Sequence, residues 1–159
     1  MKHKLLSIIF IISLLIGCSS LTFSPKPYVD PVLRPAYDAW VDECVERGIK
    51  YKREVSKIDS ILYEPLEEGY WGRCYGNRVT ISNIAISPID EFTLKLVMFH
   101  ELGHCAFNYG HYEYGIDIMN SVLLEADIVL YQYFWDKFLV EDYFHKYISK
   151  KDRRKMRKN

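Results

Sequence analysis

The sequence predicts an α+β domain, and three observations carry the prediction. Apolar residues recur at helical spacing with charges between them, first in Tyr37, Trp40, Val41, Cys44 and Val45 and again on either side of residue 100. Two short segments, Ile58–Tyr63 and Arg78–Ser82, are rich in branched and aromatic residues and are bounded by Glu-Glu-Gly and Tyr-Gly-Asn turn signals, as strands are. The 159 residues, 49% hydrophobic and 15% aromatic, suffice for one core and not for two. The 21 Lys+Arg cancel the 21 Asp+Glu, so no nucleic-acid partner is expected, and the aromatic content argues against a disordered chain.

In chain order, residues 1–17 read as a signal peptide. Lys2 and Lys4 precede an apolar run from Leu5 to Ile12, interrupted only by Ser7, that continues through Leu14, Leu15 and Ile16 and is short for a spanning helix. It ends in Leu15-Ile16-Gly17-Cys18, which resembles the lipobox of bacterial lipoproteins. The resemblance implies cleavage before Cys18, lipidation of that cysteine, and a mature exported protein anchored to the membrane through Cys18, several acyl chains at about 0.8 kcal/mol per buried methylene holding where one would exchange. Ser19 then favours the periplasmic face of the outer membrane if the bacterium has two membranes. A permanent N-terminal helical anchor is the alternative. Residues 18–35, with Pro25, Pro27, Pro31 and Pro35 among polar residues, are expected to form an extended tether, followed by a domain at 36–149 and a basic tail at 150–159.

The domain opens with a helix from near Ala36 to Gly48, and the two strands follow. In an oxidising compartment Cys44, Cys74 and Cys105 can form one bridge and leave one free thiol; the pair Cys74–Cys105 is preferred over pairs involving Cys44, with three buried thiols as the alternative. Ser87-Pro88-Ile89-Asp90 supplies a capping serine, a proline at the first helical position and an acid three residues after the cap, which predicts a helix start. That helix runs through Phe92, Leu96, Val97, Met98 and Phe99 into His100-Glu101-Leu102-Gly103-His104, an H-E-x-x-H motif.

At about 100° per residue, His100 and His104 lie one turn apart on one face, about 6 Å between their β carbons, where both imidazoles can hold one metal ion. Glu101 sits about 100° round from His100, where its carboxylate can reach a water on the metal without being a ligand. Leu102 points away, into the core. Imidazoles in a tetrahedral site suit Zn²⁺, which lowers the pKa of its bound water to about 7 and would leave Glu101 as general base and then acid. His111, seven residues beyond His104, can return to the metal if the chain turns at Asn108 or Gly110, both tolerant of left-handed backbone. Met119 follows in the turn-prone Ile118-Met119-Asn120-Ser121.

Over roughly Gly72 to Ser121 the chain resembles the metzincin side of the zinc metallopeptidases, and most closely small exported bacterial enzymes with H-E-L-G-H-C, a later histidine and an Ile-Met pair. The resemblance implies a zincin-like fold: a small twisted sheet, an active-site helix, a methionine turn and a C-terminal helix. It implies His100, His104 and His111 as zinc ligands, Glu101 as the catalytic base, Met119 as the floor of the site, and a sheet edge that binds substrate backbone. The spacing to His111 is one residue longer than usual in that group, with Gly110 and Phe107 where the histidine and the turn glycine would fall. Glu125, 21 residues after His104, is the alternative third ligand, as in the other large zincin group, with Asp127 to orient a histidine. Asp117, Glu113 or no third protein ligand are the remaining options. Tyr112 or Tyr114 could stabilise an oxyanion, against ordinary packing for two of 13 tyrosines.

Leu123–Tyr147 is aromatic and helical in pattern and is expected to pack on the core; a membrane-surface helix is the sharper alternative. Lys150–Lys158 carries seven basic residues and one acidic, a solvated run that could also touch anionic headgroups. Without residues 1–17 and 150–159 the chain has 12 basic and 20 acidic residues, an acidic body with a basic end. The expected function is a zinc-dependent endopeptidase of the cell envelope acting on a protein or peptide substrate laid beside Val79–Ser82. The alternative is a non-catalytic lipoprotein with a structural metal site or a partner-binding role.

Overall fold

Branched and aromatic side chains make Ser60–Glu64 (β2) and Arg78–Ser82 (β4) strands, and in a computed structural model they pair in parallel, Ser60 opposite Arg78 through Glu64 opposite Ser82. The structure describes residues 27–84, 90–112, 116–121, 131–135 and 139–156, so Cys18, Ser87, Glu113, Tyr114, Glu125 and Asp127 lie outside the described residues. Two shorter strands complete a mixed four-stranded sheet in the order β1-β2-β4-β3. Tyr28–Val29 (β1) lies parallel to β2, and Gly72–Tyr75 (β3) lies antiparallel to β4 at the opposite edge. Residues 65–71 carry the chain past the position of β4, and β3 returns through a tight turn in which Gly76 has a φ of +60°.

Helices accompany the sheet, among them α1 (Arg34–Glu46), α2 (Tyr51–Val55), α3 (Glu91–Cys105) and α4 (Val140–Met156). The first stops where the left-handed Gly48 lets the Gly48 and Ile49 amides turn back onto the carbonyls of Val45 and Cys44, at 3.0 and 2.8 Å. The side chain of Asp90 caps α3 by accepting the Thr93 amide at 2.8 Å. The cap is therefore Asp90, not Ser87: the aspartate sits where its carboxylate meets the third amide of the helix.

Helix α3 runs through the middle of the core, its apolar residues buried on nearly every side. Phe99 packs edge-on against Trp135 with centroids 4.9 Å apart, and Trp40 of α1 meets Phe107 at 5.3 Å. Tyr143 of α4 ties three helices together: its buried hydroxyl donates to the Phe99 carbonyl at 2.8 Å and accepts from the Trp40 indole at 3.3 Å.

Two boundaries and two strands differ from the sequence reading. Residues 28–35, expected as the end of a tether, belong to the fold, because Val29 and Leu33 are buried and β1 pairs with β2. The strands β1 and β3 were not foreseen. Residues 150–156 continue α4 rather than forming a separate tail; residues 131–134 are helical, as the pattern of Leu123–Tyr147 predicts. The Cys74–Cys105 bridge is present, with Cα atoms 5.7 Å apart, and Cys44 is a buried free thiol. No helix among the described residues is long and apolar enough to cross a membrane.

Tyr143→Phe should leave the Trp40 indole without its acceptor and cost about 1–3 kcal/mol in the free energy of denaturant unfolding. An unchanged unfolding midpoint would show that the Tyr143 hydroxyl does not join the helices.

Candidate metal centre

The periodicity of α3 puts His100 and His104 on one face, with Leu102 fully buried on another. Beyond Cys105 the helix must stop and reverse, and Asn108 does this with a φ of +54°. The Asn108 amide bonds back to the His104 carbonyl at 3.1 Å and the Tyr109 amide to the Gly103 carbonyl at 2.9 Å, which brings His111 over the helix face it has just left.

The three side chains meet at their Nε2 atoms: His104 to His111 at 3.0 Å, His104 to His100 at 3.1 Å, and His100 to His111 at 3.3 Å. Their other nitrogens decide what these contacts are. His100 Nδ1 lies 2.6 Å from the Ile118 carbonyl and His104 Nδ1 lies 2.8 Å from the Tyr109 carbonyl. A carbonyl only accepts, so each Nδ1 carries the proton and each Nε2 presents a lone pair to the common centre. Lone pairs facing one another at this range repel, and a cation between them removes the repulsion. An ion about 2.0–2.1 Å from each nitrogen in a tetrahedral arrangement requires nitrogen separations of about 3.3–3.4 Å, close to those found. The three histidines therefore fit a metal ion.

Exposure rises from buried His100 through half-buried His104 to exposed His111, so the centre opens toward solvent on one side. It opens into a cleft of about 730 Å³ bounded by residues 69–74 on one wall and by Asn108, Asn120 and Ser121 on the other. Tyr112, a candidate for oxyanion stabilisation, does not line that cleft; its ring lies under Lys146 Nζ at 4.2 Å. Asp117 is not in the histidine cluster either. One of its oxygens accepts the Met119 amide at 2.8 Å and the other pairs with Lys146. Met119 is fully buried against Gly103, where an added β carbon would run into its sulfur. The glycine inside H-E-L-G-H thus makes room for Met119. A glycine costs a helix interior roughly 0.5–1 kcal/mol relative to alanine, and that was its signal in the sequence.

Glu101, only 5% exposed, points between α3 and the edge strand β3. Its carboxylate accepts the Cys74 amide and presses on Gly72, where a β carbon would lie 2.6 Å from both its Cγ and its Oε1. The wall of the cleft is therefore β3, not Val79–Ser82. β4 is paired on both sides, to β2 and to β3, and offers no free edge.

Burial sets the intrinsic protonation of these side chains. It pushes the Glu101 carboxyl up to about 8, against the opposing pull of the Cys74 amide and Arg73. It pushes the His100 imidazole down to about 4, and holds His104 below the usual histidine range. Comparison with protein-family models, with curated proteins and with solved structures finds no match to this chain.

A raised carboxyl pKa stabilises the fold below the unfolded value and loses that contribution as pH rises toward the folded one. In chelator-treated protein, Glu101→Gln should therefore gain thermal stability relative to the unsubstituted chain between about pH 4.5 and pH 8 and level off above. A stability difference that stays flat over this range would place Glu101 in water.

Proposed function

We propose that this chain is a zinc-dependent endopeptidase of zincin type, held at the cell envelope through Cys18. The observation that carries the reading is the pairing of a three-histidine centre with a carboxylate that is adjacent to it, not part of it, and that lines the same open cleft. A structural metal site has no use for an open side or a buried acid beside it. An all-imidazole donor set favours zinc over the hard cations, which prefer oxygen ligands. Met119 buried against the motif's Gly103 and the antiparallel edge strand β3 beside Glu101 support the metzincin resemblance read from His100-Glu101-Leu102-Gly103-His104, His111 and Met119.

When bound, zinc supplies Lewis acidity, polarising a peptide carbonyl and acidifying a coordinated water. The remaining work falls to the chain. An extended peptide lies along the cleft wall at residues 69–74, using the backbone groups that Glu101 leaves free, with the histidines beside it. Glu101 takes the proton of the attacking water on its carboxylate and returns it to the departing amine. For this it must be ionised, and a divalent cation held by the three histidines would oppose the burial that otherwise keeps it protonated. The substrate is a protein or peptide in extended form. The membrane is the second partner, through acyl chains on Cys18 and through the basic end of α4 against anionic headgroups.

The full chain, purified in detergent, should carry close to one zinc and cleave an unfolded protein in a chelator-sensitive manner. Glu101→Gln should keep the zinc and lose about 10²–10⁴-fold in turnover; cleavage undiminished by that change would sink the mechanism. His111→Ala should lower zinc content, and Glu125→Ala should not; the opposite result would transfer the third ligand to Glu125. Membrane fractions should lose the protein when Cys18 is replaced by Ser, and persistent anchoring would refute the lipobox.

A further inference from the structure

We infer that the Cys74–Cys105 disulfide is a positioning element for Glu101, so that cleavage, but not metal binding, depends on the oxidation state of these two cysteines; this rests on the peptidase reading above. The bridge joins the edge strand to the last residue of α3. Cys105 lies four residues beyond Glu101, one helical turn along the same face, so the bridge and the carboxylate both address β3. The same residue, Cys74, holds the strand covalently through its sulfur and holds the Glu101 carboxylate through its amide. Two residues earlier, Gly72 makes room for that carboxylate. Strand, bridge and base form one clamp.

The histidines are held from elsewhere. Their carbonyl partners, Tyr109 and Ile118, sit on loops fastened to α4, where the Tyr109 hydroxyl donates to the Tyr143 carbonyl at 2.7 Å and Lys146 pairs with Asp117. None of these contacts involves β3. Opening the bridge therefore frees the edge strand and the base while leaving the metal cradle in place.

Cys74 is partly buried and lines the cleft, whereas Cys105 is buried, so a reductant enters at Cys74. One thiolate of a dithiol attacks Cys74 Sγ, the S–S bond breaks, and Cys105 leaves as a thiolate that takes up a proton. The second thiolate of the dithiol then displaces Cys74, which leaves and is protonated in turn. The dithiol ends as a disulfide, and its two electrons end on the two cysteines.

The test uses the zinc-loaded full chain in detergent with a phosphine reductant, which is oxidised to the phosphine oxide with oxygen from water. Mass spectrometry after alkylation counts the opened bridges. With Cys74 and Cys105 free, zinc should stay near one per chain, turnover should fall tenfold or more with a smaller change in KM, and the Cys74 amide should exchange its hydrogen at least tenfold faster. Reoxidation should restore both rates, and a Cys74→Ser/Cys105→Ser variant should behave like the reduced protein. Undiminished cleavage with an unchanged Cys74 amide would overturn the inference, as would zinc loss in step with bridge opening. If the oxidised, zinc-loaded protein cleaves no peptide, the peptidase reading fails by itself. Cys74 amide exchange and zinc content then still decide whether the bridge positions Glu101: a faster amide with zinc retained upholds it, and an unchanged amide overturns it.

Discussion

Two backbone carbonyls, those of Tyr109 and Ile118, fix what the three histidines can do. By accepting from the Nδ1 atoms they force the lone pairs of His100 and His104 inward, and a cluster that could have been a hydrogen-bonded set of imidazoles becomes a set of donors aimed at one point. Much of the surrounding chain serves those two carbonyls. The left-handed turn at Asn108 brings Tyr109 back to His104; Asp117 organises the turn that presents Ile118; Lys146 and Tyr143 of α4 hold both loops down. Gly103 lets Met119, and with it the Ile118 turn, approach the helix more closely than any residue with a β carbon would permit.

The centre was legible in the sequence where side-chain chemistry and spacing carry it. The turn of helix between His100 and His104, the return of His111 after a left-handed asparagine, and the burial of Leu102 follow from helical geometry and residue type. The two strands whose residues are branched and aromatic were legible for a similar reason. What could not be read is what backbone and pairing decide. Any residue supplies a carbonyl, so nothing in the names Tyr109 and Ile118 announces their role. Strand β3 reads Gly-Arg-Cys-Tyr, without alternation, and becomes a strand because β4 offers it a partner. The sequence consequently points to Val79–Ser82, the strand with the stronger pattern, as the wall of the cleft, and that strand proves to be an interior one. Ser87 and Asp90 are both good caps three residues apart, and only the helix register chooses between them.

The arrangement separates two tasks that share a single helix. One face of α3 meets loops tied to α4 and holds the histidines; the neighbouring face meets the sheet edge and holds Glu101. Charge links the two, because the burial that keeps the Glu101 carboxyl protonated is opposed by any cation the histidines gather. The acid and the metal site are thus mechanically separate and electrostatically joined.

The grip of α4 on both loops has a consequence for the order of assembly. The contacts that complete the centre join Asn108 to Lys150, Tyr109 to Tyr143 and Asp117 to Lys146, pairs separated by 42, 34 and 29 residues. Loop closures of that span come late, after local helices and hairpins have formed. A chain cut short before α4 would carry the whole H-E-L-G-H motif yet lack the scaffold that aims it.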